Sequence, residues 1–199
     1  MKYHFSAGLA AGASAGAADK DAAGGVAVDK AKGTVTIDAR MAPRKINDPR
    51  YKEIYPIEVI ACWPFPRGQK AHETVVTIEA RPSAVHQALV ELGLTPGKPV
   101  LGESKEPPRG PAVNVYLEVP AAGGVRRLPI DKVLLDPKTN KPMPKVEWRF
   151  TGSAMTQPDP NKPDKVYGAD RTGTLISIFP VTNETVLQSN LTMTDEPTL

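Results

Sequence analysis

Residues 56–80, PIEVIACWPFPRGQKAHETVVTIEA, decide the fold, because two apolar runs flank a segment that continues neither of them. The first run, PIEVIAC, and the last, ETVVTIEA, are short and rich in β-branched residues, which is typical of strands. Two prolines and a glycine between them interrupt regular hydrogen bonding. The stretch therefore predicts two core strands joined by a turn-rich connection, with Cys62 closing the first strand and His72-Glu73 opening the second.

Further strands are predicted on both sides of this pair. Residues 26–41, VAVDKAKGTVTIDARM, alternate apolar and polar side chains on either side of Gly33, which is typical of a β-hairpin. Towards the C-terminus, six more short runs have strand-like patterns: AVNVYLEV (112–119), GVRRLPI (124–130), KVLLD (132–136), KVEWRF (145–150), GTLISIF (173–179) and ETVLQS (184–189).

One segment, PSAVHQALVELGL, has the pattern of an amphipathic helix. Val85, Leu89 and Leu92 fall on one apolar stripe, Ser83 is the predicted N-cap, and Gly93 is the predicted left-handed residue after the helix. The 21 prolines limit the number of long helices. We therefore predict an α+β fold with a mainly antiparallel β-sheet, one principal α-helix at about residues 83–92, and long proline-rich loops.

Charge and cysteine content exclude several kinds of protein. The 25 basic and 22 acidic side chains give a net charge of +3, which is too balanced for nucleic-acid binding. A single cysteine cannot form an intrachain disulfide or hold an iron–sulfur cluster. We expect no membrane span, because no apolar run reaches the ~18 residues that a span needs.

The first 23 residues differ in composition from the rest of the chain. Lys2 precedes a run of small residues, and Ala13-Ser14-Ala15 matches the A-x-A pattern of a signal-peptide cleavage site. We therefore divide the chain into an Ala/Gly-rich leader, residues 1–23, and a single domain, residues 24–199. The leader is interpreted as a signal-peptide remnant, which predicts a periplasmic or extracellular location, or alternatively as a flexible arm.

The His-Glu pair is the main candidate for chemistry, but its motif is incomplete. In the zinc-protease pattern H-E-x-x-H the second histidine would stand at position 76, which is Val76. His72, Glu73 and Cys62 remain weak candidates for a copper or zinc site, because such a site needs further ligands. In the structural alternative, Cys62 is a small buried apolar residue and His72 is hydrogen-bonded at the start of a strand.

Several segments, taken in order, resemble the YdjY-type domain of bacterial exported and envelope proteins. They are PIEVIAC, KAHETVV, PSAVHQALVELGLTPGKPV, WRFTGS and YGADRTGTLISIF, and the resemblance covers roughly residues 24–189. The positions that match the family pattern are Lys70, His72, Glu73, Trp148, Gly152, Ser153, Tyr167, Ala169 and Asp170. The polar residues among these positions are Lys70, His72, Glu73, Tyr167 and Asp170. We hypothesise that they form a shared pocket, provided that their two loops meet at one end of the sheet.

Two functions follow as hypotheses. The favoured one is an exported, non-catalytic module that binds a protein partner or assembles with copies of itself, because the sequence carries many strands and no complete catalytic set. It needs no cofactor. The alternative is a small metal-binding or hydrolytic site around His72-Glu73, with Tyr167 and Asp170 beside it.

Overall fold

The computed structural model describes residues 3–8, 25–102, 104–135 and 139–193. Within these ranges the strands are β1 (Tyr3–Gly8), β2 (Val26–Asp29), β3 (Thr34–Met41), β4 (Val59–Cys62), β5 (Thr74–Ile78), β6 (Ala112–Ala121), β7 (Gly124–Pro129), β8 (Trp148–Phe150), β9 (Met155–Thr156), β10 (Val166–Tyr167), β11 (Thr174–Ser177) and β12 (Leu187–Ser189). The helices are α1 (Pro82–Glu91) and α2 (Gly168–Thr172), and two 3₁₀ turns span Ala71–Glu73 and Ile130–Lys132.

In the described part of the chain, ten of these strands form one curled sheet, in the order β1-β3-β5-β4-β11-β12-β8-β6-β7 with β2 paired to β3. Because β1 pairs with β6 as well as with β3, the sheet closes on itself. The pairs β4–β5 and β11–β12 are parallel, and the other pairs are antiparallel. The sheet is therefore mixed rather than purely antiparallel, although eight of its ten strand pairs among the described residues are antiparallel, in keeping with the mainly antiparallel sheet that the sequence predicted.

The parallel strands carry the most buried part of the sheet. All four residues of β4 and all four of β11 are buried. Strands that are covered on both faces read as continuous apolar runs rather than as alternating ones, which is typical of parallel pairing. Several of the largest fully buried side chains come from these strands and their neighbours, among them Ile60, Ile78, Leu175 and Phe150.

Helix α1 covers one side of this core, against β2, β3 and α2. Its buried residues Val85, Ala88 and Leu89 are those of the predicted stripe or lie beside it. Gly93 has φ +87°, and Leu94 N–H donates to Leu89 O at 3.2 Å, so the predicted left-handed end is confirmed. Ser83 is not the N-cap, because the helix begins one residue earlier, at Pro82. Proline is well tolerated at the first helical position, where a backbone N–H would have no partner within the helix.

Further predictions for local structure need correction. His72 and Glu73 lie in the 3₁₀ turn before β5, so they do not open the strand itself. The segment KVLLD is not a strand over its described residues 132–135, because Lys132 ends the second 3₁₀ turn and Leu135 makes only an isolated bridge to Pro142. Asp136, its last residue, lies outside the described residues.

Candidate functional site around His72

The connection between β4 and β5 is compact because its backbone folds tightly onto itself. The N–H groups of Arg67 and Gly68 both donate to Pro64 O at 3.0 Å. A Cβ on Gly68 would lie 2.0 Å from Trp63 O and 2.7 Å from Cys62 Sγ, so only glycine fits there. Glu73 N–H then donates to Lys70 O at 3.1 Å, which closes the 3₁₀ turn.

This turn brings four charged or titratable side chains together. Lys70 Nζ lies 2.7 Å from Glu73 Oε2 and 2.9 Å from Glu58 Oε2, and Glu58 directly precedes β4. His72 Nε2 lies 2.9 Å from Glu73 Oε1. The four side chains are between 11% and 28% exposed, so the ion pairs are shielded from most of the solvent. We call Glu58, Lys70, His72 and Glu73 the ion-pair cluster.

The cluster moves the pKa values of its two carboxyl groups in opposite directions. Burial raises the pKa of Glu58, and the neighbouring Glu73 adds to this effect although Lys70 opposes it. Burial also acts to raise the pKa of Glu73, but hydrogen bonds from Lys70 and Glu58 outweigh it and hold that pKa below its usual range. Glu73 is therefore the anion of the pair, and Glu58 is the group that takes up a proton first.

The two ring nitrogens of His72 differ in their surroundings. Nε2 faces the Glu73 carboxylate, so this nitrogen carries the proton and donates it. Nδ1 is buried and has no hydrogen-bond partner among the described residues. A buried polar atom without a partner costs about 1–3 kcal/mol, so such atoms in native proteins mark places where function can outweigh stability.

Aromatic side chains surround His72 on its outer side. Tyr51 lies 4.5 Å from the His72 ring and 5.9 Å from Phe65, measured between ring centroids, and Tyr55 lies 5.0 Å from His72. The guanidinium of Arg50 stands over the rings of Phe65 and Tyr51, at 5.2 and 5.9 Å from their centroids. Ile54, beside Tyr55 in the chain, is 61% exposed. Arg50, Tyr51, Ile54, Tyr55, Phe65 and His72 are here named the aromatic patch.

Tyr167 and Asp170 belong to a second network, which holds α1 in place. Asp170 accepts two hydrogen bonds from Ser83, from N–H at 2.8 Å and from Oγ at 2.5 Å. Tyr167 OH lies 2.8 Å from His86 Nδ1 and accepts from Ser153 N–H at 3.2 Å. Burial lowers the pKa of His86 and raises that of Tyr167, so the phenol donates to a neutral imidazole.

Other positions of the family pattern serve this second network or the core of the sheet. Ser153 Oγ accepts from Ala169 N–H at 2.8 Å, which fixes the start of α2 against the turn after β8. Gly152 has φ +64°, and a Cβ there would lie 2.9 Å from Pro96 Cβ. Trp148 is buried in β8. Hydrogen bonding, backbone conformation and burial therefore give each of these three residues a structural role.

The five residues of the predicted shared pocket thus have different partners. Lys70, His72 and Glu73 lie in the ion-pair cluster, whereas Tyr167 and Asp170 bind α1 and the turn at Ser153. A backbone contact joins the two regions, since Gln69 N–H donates to Thr172 O at 2.9 Å at the end of α2. The shared pocket stays a prediction.

Cys62, the third metal candidate, is fully buried at the end of β4. Burial raises the pKa of its thiol to about 11, so the thiolate that binds metals is disfavoured at neutral pH. Among the described residues, no three His, Cys, Asp or Glu side chains are placed to hold a metal ion. In the same residues, no helix is long and apolar enough to cross a membrane.

Sequence reasoning missed Glu58, Tyr51 and Tyr55. Glu58 carries a detectable signal, because it is the one charged residue in the apolar run PIEVIAC. The two tyrosines lie in the polar segment APRKINDPRYKEIYP, where no periodicity indicates which side chains turn inward. Their convergence on His72 depends on tertiary structure.

The curled mixed sheet with one covering helix places the chain in the α+β class. The chain belongs to the YdjY domain family, whose match covers residues 26–198 and so nearly the whole chain. No curated protein and no solved structure gives a significant match.

Proposed function

We propose that this protein is an exported, non-catalytic module of the bacterial cell envelope that binds a protein partner through the aromatic patch. The observation that carries the proposal is the concentration of half-buried aromatic side chains beside the exposed side chains of Arg50 and Ile54. Only 6% of the residues are aromatic, yet two of the five tyrosines and one of the four phenylalanines meet around His72. Tyrosine and arginine are the residue types that dominate binding energy at protein interfaces.

The charges around the patch favour an acidic partner segment. Residues 44–53 carry four cationic side chains, Arg44, Lys45, Arg50 and Lys52, against the two anionic ones of Asp48 and Glu53. Arg44 is held by Tyr55 O at 2.7 Å, so a positive charge is fixed at the edge of the patch. Complementary charge steers encounter, and apolar contacts with Ile54 and the rings supply the affinity. The proposed partner therefore presents acidic and apolar side chains.

Selection from a random peptide library on phage tests this proposal with the full chain as bait. The selected peptides are expected to be acidic with an apolar residue, and to shift the NMR signals of Tyr51 and Tyr55. Ile54→Ser should weaken their binding about tenfold, which is typical of an interface residue that loses more than ~1 kcal/mol. Val125→Ser is the matched control, because Val125 is 63% exposed on β7 and Ile54 is 61% exposed.

Equal binding to the wild type, Ile54→Ser and Val125→Ser would place the contact elsewhere and contradict the proposal. A selection without acidic sequences would contradict the chemistry assigned to the partner.

A second candidate function rests on the ion-pair cluster. Two carboxyl groups with pKa values moved in opposite directions, next to a histidine nitrogen without a partner among the described residues, are an arrangement that acid–base catalysis uses. A small hydrolytic or metal site at His72-Glu73 would use Glu58 as the proton donor. Turnover of a panel of chromogenic esters, phosphates and glycosides that is lost in Glu73→Gln and Glu58→Gln supports this alternative.

The metal form of this alternative has a separate test. Untagged protein would be incubated with zinc or copper, and its metal content measured by mass spectrometry for the wild type and for His72→Ala. A near-stoichiometric metal that the variant loses supports a site at His72. Equal metal content in the two proteins argues against one.

Export is proposed from the composition of the leader. Cell fractionation and intact-mass measurement of the protein expressed in a bacterium test it. Material in the periplasm or medium supports the proposal, and material that remains in the cytoplasm contradicts it. The intact mass also shows whether the leader stays on the chain.

A further inference from the structure

Strand β1 lies between β3 and β6 and pairs with both of them. It pairs antiparallel with β3 from Tyr3↔Ala39 to Gly8↔Thr34, and with β6 from His4↔Glu118 to Gly8↔Asn114. The YdjY domain match begins only at residue 26. The strand that closes the sheet therefore comes from outside the matched domain.

The place that β1 fills is a slot bounded by two strand edges. On their other sides, β3 pairs with β2 and β5, and β6 pairs with β7 and β8. Unpaired strand edges are templates on which another extended chain adds its own backbone hydrogen bonds. A strand in this slot gains such bonds along both of its edges, which favours a tightly held strand of six residues.

From this geometry we propose that the slot accepts β1 from a second copy of the chain, so that the protein self-assembles by exchanging its N-terminal strand. An identical strand fits the slot in the same register, whichever copy supplies it. The exchanged dimer and the closed monomer therefore make the same β1 pairs. They differ in whether β1 fills the slot of its own chain or that of the other copy, and in the dependence on protein concentration.

The length of the connection permits both forms. Sixteen residues separate Gly8 from Gly25, and an extended chain of this length reaches about 55 Å. Gly8 lies level with Thr34 on one side of β3, whereas Gly25 O accepts from Asp38 N–H at 3.0 Å on the other side. The separation of Gly8 and Gly25 is therefore four residues along β3 and two strand spacings across it, which corresponds to about 16 Å. The strand of a second copy competes for the slot with the chain's own β1, which is present at a high local concentration. The exchanged fraction is therefore expected to rise with protein concentration.

This self-association is independent of partner binding at the aromatic patch, so one can fail without the other. It requires a chain that keeps residues 3–8, which corresponds to the interpretation of the leader as an arm. Protein from the envelope whose mass shows cleavage after Ala15 would overturn the proposal, because β1 would be missing.

Mixing two full-length variants tests the exchange directly. Ser6 and Tyr116 are Cα partners across β1 and β6, so chains with Ser6→Cys and chains with Tyr116→Cys form a disulfide-linked heterodimer only if β1 of one chain lies beside β6 of another. Cys62 is 0% exposed and does not compete. The control replaces Tyr116→Cys by Val125→Cys, which is 63% exposed on β7 and faces no β1 partner in the register.

The expected result is a heterodimer several-fold more abundant for Tyr116→Cys than for Val125→Cys, and more abundant at higher protein concentration. Equal yields of the two heterodimers would mean random collision and overturn the proposal. So would a double variant, Ser6→Cys/Tyr116→Cys, that cross-links within one chain while the mixture gives no heterodimer.

Shortening the connection provides a second test. Deleting residues 9–22 leaves two of the sixteen connecting residues, with a reach of about 10 Å, which is less than the separation of about 16 Å between Gly8 and Gly25 within one chain. Light scattering should then show a dimer, and adding Ser6→Pro should reduce it, because proline removes a ladder hydrogen bond. A folded, shortened chain that stays monomeric overturns the proposal, and if the shortened chain does not fold, the cross-linking result decides.

Discussion

Lys70 is the residue on which the ion-pair cluster depends, since its ammonium group bonds to both Glu58 and Glu73. Replacing it by methionine keeps most of the length of the side chain and leaves two shielded carboxyl groups facing each other. Removing one partner of a fully buried pair costs about 3–5 kcal/mol, and these side chains retain some exposure, so we expect Lys70→Met to lower the free energy of unfolding by about 2 kcal/mol at pH 7.

The pH dependence of this loss identifies its cause. The pKa of Glu58 is raised, so Glu58 takes up a proton as the pH falls, and the repulsion in Lys70→Met disappears. Urea unfolding at pH 7 and pH 4.5 should show a smaller difference between variant and wild type at the lower pH. Lys70→Met/Glu58→Gln should recover part of the loss at pH 7. A loss that is the same at both pH values would instead indicate a packing defect.

His86 makes a separate contribution to the pH dependence of stability. Burial lowers its pKa in the folded protein below the ordinary value of 6.5. The unfolded chain therefore binds a proton before the folded one does, and stability that is fully present above about pH 6.5 is lost as the pH falls below it. The free energy of unfolding should decrease from pH 7.5 to pH 5.5 more steeply for the wild type than for His86→Gln.

The two proteins in that comparison differ only at position 86, so a difference between their pH curves belongs to that side chain. The amide oxygen of the introduced glutamine is an acceptor for Tyr167 OH, so the hydrogen bond to Tyr167 has a replacement. Parallel pH curves for the two proteins would show that the imidazole of His86 does not couple to folding.

At the scale of elements, the N-terminus of α1 is capped by a residue distant in the chain. Asp170, at the start of α2, accepts from Ser83 N–H and Ser83 Oγ, and a carboxylate at a helix N-terminus also interacts favourably with the helix dipole. Asp170→Ala should lower the free energy of unfolding by about 1–2 kcal/mol, as for other lost caps. Asp170→Asn, which keeps an acceptor, should lose less.

A double-mutant cycle in urea unfolding separates the two hydrogen bonds. Ser83→Ala removes only the hydroxyl donor, so its effect should largely vanish when Asp170 is already replaced by alanine. Additive losses would show that Asp170 acts through something other than Ser83.

The elements with strong local signals were predictable, and those without were not. Residues 26–41 alternate about Gly33, and the structure has the hairpin β2–β3 there. Helix α1 follows its apolar stripe, but its cap lies 87 residues away and no local pattern contains it. Helix α2 has five residues, too few for a periodic pattern, and the sequence around Asp170 read as a loop.

At the scale of the whole molecule, strand direction was the property that the sequence did not determine. β4 and β5 are both buried apolar runs, which favour parallel pairing, but β4 also pairs antiparallel with β11, so its sequence does not fix the direction of each partner. The ion-pair cluster was likewise half predictable: Lys70, His72 and Glu73 are near neighbours in the chain, but Glu58 and the tyrosines join them through folding. Clusters of residues that are close in the chain can be predicted from their spacing. Clusters that combine distant residues can be predicted only when the fold topology is known.

The sheet order predicts a gradient of local stability from its centre to its edge. β4, β5, β11 and β12 lie in the interior of the order and are nearly all buried, whereas β7 is an outer strand whose residues 124–127 are exposed. Amide protons exchange through openings whose free energy ranges from near zero at mobile edges up to the global value, ~5–15 kcal/mol for a domain. Hydrogen exchange followed by NMR should therefore find the slowest amides in β4 and β11, with exchange at the outer edge of β7 faster by several orders of magnitude. If the amides of β7 were protected as strongly as those of β4, another chain would have to cover that edge, and dilution of the sample should then release its protection.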